Sequence, residues 1–152
     1  MAATTQTFDR MVPAAPDTVG ALRRELRRWA RRQGAPAAVQ ANLALAFSEA
    51  CTSIIGADTP AEGISGPLIV EAWREDDEIG VQVSHRSPRA VAAHGPGYGF
   101  GLALIARICD RFEVRRRDGR PGKAVEMAFS LPRPPVPGRS SRLQPFRSTT
   151  RR

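Results

Sequence analysis

A chain of 152 residues, 41% of them hydrophobic, has the size of one ordinary domain and enough apolar material for a two-layer core. No run of 18 apolar residues occurs, and the opening "MAATTQTFDRM" has neither a basic start nor an apolar signal core, so a cytoplasmic protein that does not enter a membrane is expected. The formal charge of +8 is uneven: residues 1–131 hold 17 Lys+Arg against 15 Asp+Glu, whereas residues 132–152 hold six arginines and no acid.

The first strand is expected over residues 6–12, "QTFDRMV", after which "PAAPDTVG" opens a helix with Asp17 or Thr18 placed as its cap. In that helix Val19, Leu22, Leu26, Trp29 and Ala30 recur at helical spacing and form the buried stripe. The opposite face carries Arg23, Arg27 and Arg31 in one row and Arg24, Arg28 and Arg32 in the next, with Glu25 the acid among them. Such a face is either simply solvated or a docking surface for an acidic partner.

"QGAP" breaks the chain, and a second helix is expected from Ala37 to Ile55 with Val39, Leu43, Phe47, Ala50 and Ile54 as its stripe. Glu49 and Ser53 are four apart and therefore share one side of it. After a turn-rich connection from Pro60 to Pro67, "PLIVEAWRE" and "IGVQVSH" read as two strands joined by the acidic turn "DDE". A polar loop from Arg86 to Gly99 then leads through a glycine run into a third helix ending near Asp110. "RFEVRRRD" and "KAVEMAFSL" form a closing hairpin. Three amphipathic helices need a sheet to cover, so the expected class is α+β: a mixed, mainly antiparallel sheet with all three helices on one face.

Cys51 and Cys109 fall on apolar helical stretches without CxxC spacing, and His85 and His94 are isolated, which argues against a disulfide framework and a histidine–cysteine metal set. The tail "PRPPVPGRSSRLQPFRSTTRR" has too few apolar groups to offset the entropy of ordering it. Residues 1–131 are therefore expected to form the domain and 132–152 a disordered Arg/Pro-rich tail. No aromatic stacking platform or recognition motif accompanies the arginines, so nucleic acid is not the expected partner.

In "GPGYGFGLALIARICDR" four glycines alternate: Gly95, Gly97, Gly99 and Gly101. Glycine lets other groups approach the backbone, and a helix starting nearby adds free N–H groups and partial positive charge, a combination that suits a phosphate. Two familiar phosphate loops fail on spacing. A GxGxxG started at Gly95 or Gly97 meets Phe100 or Leu102 where its last glycine belongs, and the P-loop is excluded because Gly122-Lys123 is followed by Ala124 and preceded five places earlier by Arg117.

Together, the GxGxGL run, the preceding glutamate-bearing helix and the strand pair resemble the histidine-kinase-like ATPase (Bergerat) fold. More narrowly, "ANLALAFSEACTSII" and "GYGFGLALIARICDRFEV" are similar to the second helix, and to the glycine lid and third helix, of bacterial anti-sigma-factor serine/threonine kinases. The resemblance covers most of residues 6–131. It implies ATP and Mg²⁺ as cofactors, a sigma factor or an antagonist protein as partner, serine phosphorylation of the antagonist, and pairing as a homodimer. It assigns Glu49 as the general base for the partner's serine. Gly97, Tyr98, Gly99, Phe100, Gly101 and Leu102 become the phosphate cradle.

Three parts of the family pattern are altered. Ser53 stands where asparagine helps to hold Mg²⁺, a shorter ligand that weakens metal binding. At the end of the "IGVQVSH" strand, His85 takes the place of the aspartate that contacts adenine, and Ser87 and Arg89 replace the two glycines after it. Lys123 and Ala124 stand where a threonine is usual. Either Arg86 and Arg89 retain a nucleotide in an altered pose, or the fold is kept as a catalytically inactive protein-binding module.

Overall fold

The first helix begins at a proline rather than at a capping side chain. In the computed structural model, which describes residues 6–57, 66–85, 98–116 and 123–133, strand β1 (Phe8–Pro13) leads into helix α1 (Pro16–Arg32). The N-cap is Ala15, extended and without a side-chain hydrogen bond, and Pro16 takes the first helical position, where its missing N–H has no cost. The expected cap at Asp17 or Thr18 is thus displaced. Asp17 lies in the first turn, and the Thr18 hydroxyl turns back to the carbonyls of Ala15 and Pro13, at 2.7 and 2.8 Å. The far end closes with Gly34 at φ 90°: its N–H bonds to Arg31 and that of Ala35 to Ala30, a Schellman pair that only a left-handed residue completes.

Helix α2 (Ala37–Ala57) follows, then the antiparallel strands β2 (Pro67–Glu75) and β3 (Glu78–His85), helix α3 (Tyr98–Ile108), and the hairpin strands β4 (Arg111–Arg116) and β5 (Lys123–Ser130). The sheet order is β1-β2-β3-β5-β4, and every pairing among the described strands is antiparallel, so the mixed character expected of the sheet is not seen there. Cross-strand partners share a face, and the row Phe8, Ala72, Val81, Met127, Phe112 marks the face that the helices cover.

Helix α2 packs centrally over β3 and β5, with α1 on its β1 side and α3 on its β4 side. By length and apolar composition α2 could cross a membrane, yet Leu43, Ala46, Phe47 and Ala50 are wholly buried in this core. At one edge Phe8 and Trp29 meet at 6.2 Å between ring centroids, and the indole N–H donates to the Gln6 carbonyl. On the uncovered face Trp73 lies over Gly80, where an added Cβ would stand 2.3 Å from the indole, so the glycine gives the ring its place. Leu131 remains in the core and its N–H bonds to Asp77; Arg133 pairs with the same aspartate. The expected tail lies outside the described residues from 134 onward.

Candidate functional site

The seam between α2 and α3 brings together residues that are about fifty positions apart in sequence. On α2 the stripe Leu43, Phe47, Ala50 and Ile54 goes into the core, which turns Glu49 and Ser53, four residues apart, toward α3. Glu49 is half-buried and Ser53 is buried. From the other side comes the first turn of α3. A Cβ placed on Gly101 would stand 3.0 Å from Glu49 Oε2 and 3.3 Å from Ser53 Oγ.

That contact explains a residue that costs helix stability. Glycine inside a helix is less favourable than alanine by about 1 kcal/mol, yet here any side chain would press on the carboxylate and the hydroxyl together. Gly101 is helical, and among the described residues the glycines with positive φ are Gly34 and Gly66. The expected concave glycine loop leading into a later helix is therefore replaced, from Tyr98 onward, by the helix itself.

This shift narrows the set of available donors. In the first turn of a helix the N–H groups have no acceptor four residues back, so the amides of Tyr98, Gly99 and Phe100 have no partner within the helix. The amide of Leu102 belongs to the helical ladder instead. The positive end of the α3 dipole also lies beside Glu49, a partial charge that suits a bound anion. Gly97 lies outside the described residues, as do the side chains of Tyr98 and Phe100.

His85 ends β3 and pairs in register with Leu68 and Lys123. It is 3% exposed and falls on the helix-covered face with Ile79, Val81 and Val83. Arg86, Ser87 and Arg89 are outside the described residues. Among the described residues no three His, Cys, Asp or Glu side chains group as a metal site. Cys51, beside this seam on α2, is buried, and desolvation pushes its thiol far up, which leaves it unreactive.

One contact at the site had no signal in the sequence. Arg23 of α1 donates to the Ser48 hydroxyl at 3.2 Å, which brings the cationic row of α1 to the residue just before Glu49. Periodicity within either helix carries no information on how the two cross. Two open depressions lie elsewhere, of about 710 Å³ beside Met11 and Pro67 and about 380 Å³ beside Phe112 and Glu126, and neither touches Glu49.

Comparison with known proteins gives three findings. A family model described as "Histidine kinase-like ATPase domain" matches residues 12–129. The crystal structure of the RsbU and RsbW domains of Rv1364c from Mycobacterium tuberculosis is similar at a TM-score of 0.66 and 20% sequence identity, over 86% of this chain and 33% of that one, so this chain spans about a third of the length of the chain it matches. Among curated proteins there is no match.

Proposed function

The chain belongs to the histidine kinase-like ATPase domain family, and from that premise we propose that it binds Mg²⁺-ATP at the α2–α3 seam as a cytoplasmic bacterial regulator of the anti-sigma-factor kinase kind. The observation that carries the reading is the place left by Gly101, where Glu49 and Ser53 converge on the first turn of α3.

The residues present fit the phosphate end. The amides of Tyr98, Gly99 and Phe100 would donate to phosphate oxygens, with Gly97 extending the cradle, and Leu102 would anchor the turn through its helical bond. When bound, the nucleotide supplies the transferable phosphoryl group and the metal neutralises its charge. Glu49 holds a carboxylate on a rigid helix beside that cradle and takes the proton from the partner's serine hydroxyl as the serine attacks. Ser53 offers the metal a single hydroxyl oxygen, a poorer ligand than the family's asparagine. His85 offers an imidazole nitrogen to the adenine amino group.

The partner in this reading is a sigma factor or the antagonist protein that competes for it, with the antagonist as the phosphorylated substrate. A homodimer is the working form. A second reading, an inactive protein-binding module, is favoured by His85: a buried residue of the core face stands where the adenine-reading aspartate is expected.

Calorimetry with Mg²⁺-ATP on the intact chain and on Gly101→Val and Glu49→Gln variants separates the two. The kinase reading predicts binding by the intact chain, retention in Glu49→Gln and a loss of at least about tenfold in Gly101→Val. Absence of heat from the intact chain leaves the binding module.

A further inference from the structure

The fold sorts charge between its two outer surfaces, a separation that the linear sequence conceals. Among the described residues the three helices carry seven arginines, six of them exposed on α1, against the carboxylates of Asp17, Glu25 and Glu49. Arg10 already pairs with Glu25. On the sheet, the row next to the core row runs Asp9, Glu71, Gln82, Glu126, Glu113 and by parity faces away from the helices. With Glu75 and Glu78 this face, which none of the described helices covers, holds six carboxylates against Arg111 and Arg115 among the described residues.

Those two arginines are already engaged. Arg111 bonds to Glu78, and Arg115 bonds to Glu113 at 2.8 Å with Glu126 at 4.0 Å. Glu75 is near Arg111, which Glu78 already holds, while Asp9 and Glu71 form no ion pair among the described residues and Glu71 accepts from the amide of Gln82. On α1 the Arg28 side chain reaches the Arg24 carbonyl, while Arg27, Arg31 and Arg32 meet no carboxylate among the described residues.

The spacings of the two surfaces also agree. Arginines four apart on a helix recur every ~6 Å, and carboxylates on neighbouring strands recur every ~4.8 Å. A 17-residue helix is about 25 Å long, enough to cross five strands that span about 19 Å.

We propose that the arginine face of α1 docks on the uncovered, acidic sheet face of a second copy of this chain. A nucleic acid or an anionic membrane would satisfy α1 alone and be repelled by the opposite face, whereas a second copy satisfies both. The contact joins different surfaces on the two copies, so each copy keeps one surface of each kind and the assembly grows head to tail. Exposed ion pairs of this sort are individually weak and are screened by salt, so the association is reversible and strongest at low ionic strength. It requires no nucleotide, stands apart from the reading of the α2–α3 seam and, being heterologous, is a separate contact from the homodimer of that reading, which it would link into longer assemblies.

Sedimentation velocity of the full chain at about 0.05 M and about 0.5 M salt tests it, with two charge-reversed proteins: Arg27→Glu/Arg31→Glu on the helix and Glu71→Lys/Glu126→Lys on the sheet. The intact chain is expected to form concentration-dependent species at low salt that dissolve at high salt. Each reversed protein alone should associate at least about tenfold more weakly, and an equimolar mixture of the two should associate again, because the native helix of the sheet variant then meets the native sheet of the helix variant. Melting curves confirm folding, and Asp9→Lys/Glu113→Lys on the edge strands replaces the sheet variant if that one unfolds. Salt-independent sedimentation, or a mixture that stays dissociated, overturns the proposal. Association abolished by the sheet reversal but untouched by the helix reversal also overturns it, by placing another basic segment on that face.

Discussion

Helices α1 and α2 lie side by side on the same sheet and treat their polar residues in opposite ways. In α1 the division is clean: Leu22, Leu26, Trp29 and Ala30 are buried and all six arginines are exposed. Helix α2 is apolar on most of its surface, leaving Leu45 43% exposed, and beyond Gln40 and Asn42 near its start its polar groups Ser48, Glu49, Thr52 and Ser53 fall within two turns. Charge on α1 says little about chemistry, because water holds it at no cost. A half-buried carboxylate beside a buried hydroxyl in an apolar helix is different: desolvation opposes it, and stability alone would select against it.

Mutations that exchange these roles sharpen the contrast. Phe47→Ala, in the fully buried stripe of α2, should cost about 3–5 kcal/mol in urea denaturation. A cost below about 1 kcal/mol would mean that α2 is not the core helix described. Glu49→Gln and Arg27→Ala form a matched pair. Under the proposed kinase reading the first should lower phosphoryl transfer by about 10²–10⁴-fold with the melting curve nearly unchanged, and the second should leave stability within about 0.5 kcal/mol. Equal effects of the two on transfer would erase the distinction between the helices.

The smallest effect belongs to an exposed pair at the sheet tip. Arg133 holds the Asp77 carboxyl below the usual carboxylate range, chiefly through its hydrogen bond. Because that value is depressed by folding, the contribution is present above the ordinary carboxylate pKa of about 3.9 and fades as pH falls through the folded value. The Arg133 Nε–H resonance should therefore lose its shift only in acid. A change between pH 6 and 8 would contradict the assignment.

Much of the fold was legible because periodicity reports burial directly. The alternation of Ile79, Val81 and Val83 identified the central strand, and the same parity puts His85 on the core face. The start of α3 was not legible. Alternating glycines read locally as a loop, whereas the close approach of Gly101 to Glu49 rewards helix there, and that approach is a tertiary fact. The α1 cap failed for a related reason: Asp17 and Thr18 are good caps by type, but Pro16 fits the first helical position without one.

At the site, the pairing of Glu49 with Ser53 follows from helical spacing, and their convergence on Gly101 was foreshadowed only by the family pattern. Of the charge division, the arginine face of α1 was legible in helical spacing, whereas the acidic sheet face was not. That face depends on strand register, which sets Asp9 beside Glu71 and Glu126 beside Glu113.

The most direct test follows backbone amide resonances of the isotope-labelled full chain as Mg²⁺-ATP is added. The account predicts the largest shifts at Tyr98, Gly99 and Phe100, with smaller ones at Glu49, Ser53 and Gly101. Shifts confined to the uncovered sheet face, or none at saturating nucleotide, would contradict it.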